Sequence, residues 1–369
     1  MIDMQQAGLK PQIPEIIFDR VPFIIFWEST RACDLACRHC RAEAIHHRDP
    51  DELTTAEVKR LFEQIKGFDD PKPLLVITGG DPLKRADIFE LIEYGQRIGL
   101  RMVITPSGTN NITREAVRRF REGGLGAMAL SLDGSSPERH DHFRNVPGAF
   151  DWTMRAAHLA LDEGLPLQIN TTVTAETADD LPAIYELIKP LGIKRWSLFF
   201  LVPTGRGRIL EQVTPARAEQ ILLWLYEVGE EAPFQVKTTE AHHFRRVMLQ
   251  QMTAEGTSLE ELFGGQRLKG RMFGINDGNG AIFVSRTGEV YPSGFLPLSV
   301  GNVRRGDIVA IYRDAPLLKE LRDKSKLKGK CGRCEFKGIC GGSRARAYAM
   351  TGDYLQNDPL CPYQPGGGN

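Results

Sequence analysis

The chain has 369 residues, 41% of them hydrophobic, and its 47 Lys and Arg balance 47 Asp and Glu. That size suits a sizeable core and two domains, and the balanced charge gives no basis for nucleic acid or an anionic membrane as a partner. Met1-Ile2-Asp3-Met4-Gln5-Gln6 has no basic segment followed by an apolar run, and no apolar stretch approaches the ~18–20 residues of a membrane span, so a cytoplasmic protein is expected.

Residues 1–20, with Pro11 and Pro14 and no periodicity, read as an extended lead-in. The apolar run 23–27 reads as a buried strand. Directly after it come Cys33, Cys37 and Cys40, spaced C-x3-C-x2-C, so the thiols sit in a loop at the strand's C-terminal end. A [4Fe-4S] cube normally takes four Cys ligands, so three in one loop leave one iron open to a substrate or cosubstrate. Structural zinc is the competing reading; it prefers four ligands in paired C-x2-C units, and His39 lies too close to Cys40 to complete a tetrahedron easily. All 7 cysteines fall into two groups, which reads as metal sites rather than disulfides.

Apolar runs then alternate with helical patterns. A helix is expected over 53–65, with Thr54 or Thr55 as N-cap, then a strand over 74–78 and a helix over 88–98. Strands over 102–105 and 126–132 flank a helix over 113–122, and strands over 167–173 and 196–202 are separated by helices near 150–163 and 179–189. Six such repeats imply βαβ units on a parallel sheet with right-handed crossovers. A further helix is expected over 215–229. Residues 230–280 are less regular, with Gly264-Gly265 and 276–280 as loop signals. Ala281 to Ser285 and Glu289 to Tyr291 form a plausible hairpin about Arg286-Thr287-Gly288.

Polar residues stand where these strands end. Gly79-Gly80-Asp81-Pro82 follows the second strand: glycines permit close backbone approach, and carbonyls with the Asp81 carboxylate accept hydrogen bonds from an ammonium. Ser131 and Asp133 close the fourth strand and Asn170 lies on the fifth; their hydroxyl, carboxylate and amide groups suit a ribose, although strand-end loops often carry such residues.

The cysteine spacing after a first strand resembles the signature of the radical S-adenosylmethionine (SAM) superfamily. The resemblance implies an open partial (β/α)6 barrel over 21–230, an α/β fold whose ligand residues gather at the C-terminal strand ends. It also implies a [4Fe-4S] cluster on Cys33, Cys37 and Cys40 whose open iron is chelated by SAM, and reductive cleavage of SAM to a 5′-deoxyadenosyl radical that abstracts hydrogen. Gly79 to Pro82 then resembles the element that holds the SAM amino group, with Asp81 one methylene shorter than the family's Glu. Ser131, Asp133 and Asn170 match positions contacting the nucleoside, and Ser107 stands where the family often has Asn. His39 stands where an aromatic packs near adenine. Arg144 is either a partner of the SAM carboxylate or a surface salt bridge.

Near the C-terminus, Cys331, Cys334, Cys340 and Cys361 form C-x2-C-x5-C-x20-C. Four soft ligands hold either structural zinc or a closed [4Fe-4S] cluster. With Tyr291-Pro292-Ser293 and Gly301-Asn302-Val303, they resemble a SPASM-type extension, expected over 281–369 after a bridging region over 231–280. Ser293 and Ser343 stand where relatives often have cysteine, which implies one auxiliary cluster. From Lys319 to Arg346 there are 10 Lys or Arg against 3 acids, favouring a reduced cluster or a carboxylate-rich substrate, unless they form a solvated face.

Trp27-Glu28-Ser29-Thr30, Cys40-Arg41-Ala42-Glu43-Ala44, 202–207 and 341–348 resemble the tetrapyrrole-modifying members, including iron-coproporphyrin decarboxylases of haem synthesis. The implied chemistry is oxidative loss of carbon dioxide from a propionate, with an electron donor such as ferredoxin or flavodoxin. His242, His243 and Arg245 are candidate substrate contacts, to haem iron or propionates; the alternative places the His pair in surface or packing roles. Modification of a ribosomally made peptide is the enzymatic alternative, and a non-catalytic two-cluster electron carrier is the alternative of another class. A carrier has no use for an open iron.

Overall fold

The computed structural model describes residues 17–258 and 274–366. Most of the expected lead-in, residues 1–16, and the loop glycines Gly264 and Gly265 lie outside them.

Six strand–helix units form as the alternating pattern predicts. Strands β1 (Ile24–Glu28), β2 (Leu74–Thr78), β3 (Arg101–Ile104), β4 (Met128–Ser131), β5 (Leu167–Val173) and β6 (Arg195–Phe200) pair in parallel in that order. The helices between them include α1 (Thr55–Lys66), α2 (Ile88–Arg97) and α3 (Arg114–Glu122). Thr54 caps α1 in a reciprocal box with Glu57, and Thr113 caps α3. This is the curved parallel sheet of a partial barrel.

Strand alternation separates core from lumen. On β5, Leu167, Ile169 and Val173 are buried in the helix-covered core, while Gln168, Asn170 and Thr172 face the other way and keep some exposure. On β6, Trp196 and Leu198 enter the core; Trp196 packs on Tyr185 and Trp224 with ring centroids 6.1 Å away in each case.

Three elements depart from the expected pattern. Pro137–Arg144 is a helix, α4, between β4 and the helix Ala149–Asp162, α5. Its sequence is almost wholly polar, so no apolar stripe announces it, but Ser136 accepts from the Arg139 N–H as an N-cap and Pro137 fits the first turn. The stretch expected to be irregular contains strand β7 (Gln235–Thr239), parallel to β6, and a helix, Phe244–Ala254. The expected hairpin forms from β9 (Gly280–Val284) and β10 (Glu289–Tyr291), yet β9 also pairs in parallel with β1. The sheet therefore runs on without a break, in the order β11-β10-β9-β1-β2-β3-β4-β5-β6-β7, where β11 is Gly301–Asn302; β8 (Asn276–Asp277) pairs with β9. Among the described residues, no helix is long and apolar enough to cross a membrane.

The C-terminal segment is tied to the barrel by a buried charge. Arg346, on the helix Arg344–Thr351, donates to the carbonyls of Phe200 and Leu201 at the end of β6 and pairs with Asp358 at 3.2 Å, both side chains being 0% exposed. Removing one partner of such a pair leaves a buried charge uncompensated. Asp358→Ala is expected to lower unfolding stability by about 3–5 kcal/mol, read as a fall in urea midpoint, and Asp358→Asn by less.

Candidate active site

The cysteine loop leaves β1 and is clamped on two sides. From the β2 side, Gly80 N–H donates to Thr30 O and Asp81 N–H to Ala32 O, both at 2.7 Å. Gly79 has φ +151°, and a Cβ on Gly80 would lie 2.4 Å from Ala32 O, so only glycine admits this contact. From the β6 side, Arg206 N–H donates to Cys40 O and its Nε to Cys37 O at 3.0 Å. Gly205, at φ +53°, brings that turn against Cys40 and Arg41. The residues 202–207 singled out in the sequence thus hold the loop from across the barrel mouth.

Polar groups already address the thiols. Ser107 Oγ lies 3.2 Å from Cys33 Sγ and donates to Gly80 O at 2.7 Å. Arg144 donates to Cys37 Sγ at 3.5 Å and pairs with Asp133, whose other oxygen accepts from Thr172 N–H. Arg144 is therefore a buried partner of this site and not a surface salt bridge; it stands at the end of the unforeseen helix α4. His39 stacks on Phe143, with centroids 4.7 Å apart and rings 15° from parallel. Burial, reinforced by Arg144, pushes the His39 pKa down to about 3 and keeps the ring neutral.

Asp81 is fully buried and accepts from Leu83 N–H, Thr109 Oγ1 and Asn111 Nδ2. Its carboxylate caps the turn Pro82–Lys84, while the Gly79 and Gly80 backbone forms the contact with the loop. Ser131 and Asn170 sit side by side in register on β4 and β5. Thus Cys33, Cys37, Cys40, His39, Gly79, Gly80, Ser107, Asp133 and Arg144 form one connected set.

Burial pushes the Cys33 thiol up to about 11 and raises Cys37 as well, against the pull of Arg144. Metal binding removes such protons. The buried Nε of Arg144 and Nδ1 of His39 have no hydrogen-bond partner beside these thiols, which fits a site built for an anionic group. Three sulfurs with this polar surround suit a cluster with one open iron.

The second cysteine group is separate. Cys331, Cys334, Cys340 and Cys361 line one cavity with His243 and Arg246. Gly342 N–H points at Cys340 Sγ and Asp358 N–H at Cys331 Sγ, each at 3.4 Å. Gly341 and Gly342 are both left-handed, and a Cβ on Gly342 would meet Asp358 and the Cys331 sulfur. His243 is fully buried with neither ring nitrogen hydrogen-bonded. N–H groups aimed at sulfur and a glycine cradle fit a sulfur cluster.

The three expected substrate residues are split. His243 faces the four-cysteine cavity, and Arg245 is engaged by the carbonyls of Ile339 and Ile275 at 2.8 and 2.6 Å. His242 has a buried, unpartnered Nδ1, and burial with nearby Arg245 holds its pKa well below the ordinary value. None of the pair is a surface histidine on a helix; both precede the helix Phe244–Ala254. Nor is the basic C-terminal stretch a solvated face throughout: Arg322, Lys324, Arg344 and Arg346 are buried.

Residues 27–188 match the sequence profile of the Radical SAM superfamily. The chain is 41% identical over 351 residues to the AdoMet-dependent heme synthase of Methanosarcina barkeri, covering 95% of this chain and 99% of that protein. It is 31% identical over 363 residues to the Fe-coproporphyrin III synthase of the same organism, covering 93% and 88%. Streptococcus suis SuiB bound to S-adenosylmethionine shares the fold, with a TM-score of 0.71 at 18% identity over 93% of this chain and 78% of that one.

The Gly80 contact is testable without any ligand. Gly80→Ala must displace the loop backbone, and a loss of about 1–3 kcal/mol in urea unfolding is expected; Gly126→Ala, where the backbone is likewise not left-handed and an added Cβ has its nearest neighbour at 3.6 Å, is the control and is expected to lose little.

Proposed function

The chain belongs to the radical SAM superfamily and is an enzyme, and from that premise we propose that it removes carbon dioxide from a propionate of an iron-containing haem precursor. The observation that carries this is the 41% identity to a heme synthase over 95% of this chain and 99% of that protein.

When bound at Cys33, Cys37 and Cys40, the [4Fe-4S] cluster and SAM supply one-electron cleavage of the sulfonium and a radical strong enough to abstract hydrogen from carbon. Residues of this chain do the positioning. Ser107 Oγ lies against Cys33, Arg144 donates toward Cys37, and Asp133 fixes the Arg144 guanidinium. Ser131, Asn170 and His39 are assigned to the SAM nucleoside, and the Gly79 to Pro82 backbone, with Asp81 ordering it from within, to the SAM amino group. Substrate chemistry balances simply: the propionate loses one hydrogen atom, carbon dioxide and one electron, and a vinyl group remains.

Cys331, Cys334, Cys340 and Cys361 are assigned to one auxiliary [4Fe-4S] cluster, which offers that electron a destination. The N–H groups at Cys340 and Cys331 fit thiolates that hold a metal, and the likeness of the cysteine run to a SPASM-type extension favours a cluster over zinc. A ferredoxin or flavodoxin is the expected source of the reducing electron.

Two experiments test the reading. Anaerobic reconstitution is expected to yield about eight irons per chain; about four irons with stoichiometric zinc overturns the auxiliary assignment. Reduced protein with SAM and iron-coproporphyrin III is expected to release 5′-deoxyadenosine together with carbon dioxide, seen as a lower porphyrin mass. Cys33→Ala abolishes deoxyadenosine formation, whereas Cys361→Ala retains slow SAM cleavage. An untouched porphyrin with SAM still cleaved redirects the search to peptides.

A further inference from the structure

The wall of the lumen farthest along the sheet from the cysteine loop carries a feature that the SAM and cluster assignments leave unused. Register places Ser131 beside Asn170, Asn170 beside Ser197 and Ser197 beside Lys237. These four residues form one row across β4 to β7. Their strand neighbours Leu130, Ile169, Trp196 and Val236 are buried in the helix-covered core, so the row lies on the opposite face, toward the lumen.

The far end of this row lacks partners of its own. Ser197 is fully buried and its hydroxyl makes no hydrogen bond. Lys237 is exposed to the lumen, and among the described residues no acid acts on it; the charges that reach it are Arg195 and Arg245. One rung below, the Arg195 guanidinium meets only the amide oxygens of Gln235 and Gln168, at 2.9 and 3.3 Å. Arg245 meets only backbone carbonyls. Two cations, Lys237 and Arg195, thus share this wall, with the charge of Arg245 reaching it from the neighbouring helix, and among the described residues none of the three has a carboxylate partner.

The Lys237 ammonium stands at the mouth of the lumen, where partial desolvation and the charges of Arg195 and Arg245 lower its pKa. Positive charges gathered without a counter-ion repel one another, and a bound anion relieves that repulsion.

We propose that Lys237, with the Ser197 hydroxyl beside it and Arg195 below, is the anchor for a carboxylate of the substrate. Adjacent strands lie about 4.8 Å apart, so Lys237 stands about 10 Å along the row from Asn170, the residue assigned to the SAM nucleoside. An acid held at Lys237 therefore lies roughly one substrate width from the reacting end. A polycarboxylate gripped by one acid presents another toward the cluster loop. The identity of the acid rests on the tetrapyrrole reading; the existence of the anchor does not.

Binding to the full chain by absorbance titration tests this with iron-coproporphyrin III, its tetramethyl ester, and mellitate as a carboxylate-rich molecule of another shape, the last followed by calorimetry. Lys237→Gln is expected to weaken the free-acid porphyrin at least tenfold and Lys237→Arg much less, with Ser197→Ala between them. The ester is expected to bind wild type and Lys237→Gln alike. SAM cleavage in the absence of substrate and iron content are expected to stay at wild-type values in all three variants. Undiminished free-acid binding by Lys237→Gln overturns the proposal, as does an equal loss for acid and ester. If wild type ignores the porphyrin but binds mellitate in a Lys237-dependent way, the anchor stands and the tetrapyrrole reading falls; binding of neither overturns the anchor.

Discussion

The close contact between the end of β2 and the cysteine loop is the constraint on which the site depends. Two backbones pass so near that the positions of Gly79 and Gly80 leave no room for a Cβ, and in return two loop carbonyls receive hydrogen bonds at 2.7 Å. A loop bearing three cysteines would otherwise be held only by its ends. Here β2 and the turn after β6 grip it from both sides, so the thiols are positioned before any metal arrives.

The same economy of position governs the charges. Asp133 at the end of β4, Arg144 at the end of α4 and Cys37 in the loop join three elements far apart in sequence through one buried guanidinium. A buried arginine is stable only when its charge is answered; Asp133 answers it on one side and the Cys37 sulfur lies on the other. At the other cysteine group, Arg346 ties the segment carrying those cysteines to the carbonyl ends of β6. Both groups are thereby tied to one continuous sheet.

The parallel pairing of β9 with β1 gives that continuity. Because β9 joins the sheet beside the strand that feeds the first cysteine loop, the C-terminal segment is an extension of the barrel sheet and packs on it directly. Glu28 records this junction: it is buried and answers both Arg41 from the loop and Arg286 from the turn after β9.

The β/α alternation, the two cysteine groups and the glycine pair were legible in the chain because they depend on local periodicity and on spacing along the sequence, which any strand or loop displays by itself. Helix α4 and strand β7 were not, since one carries no apolar stripe and the other alternates Val236 with polar neighbours that face the lumen. The separation of His243 from Arg245, the burial of Arg144 and the row ending at Lys237 could only come from the folded molecule. Each depends on which residues stand opposite one another across strands and helices distant in sequence, and a side chain's partners, unlike its spacing, are set by packing in three dimensions.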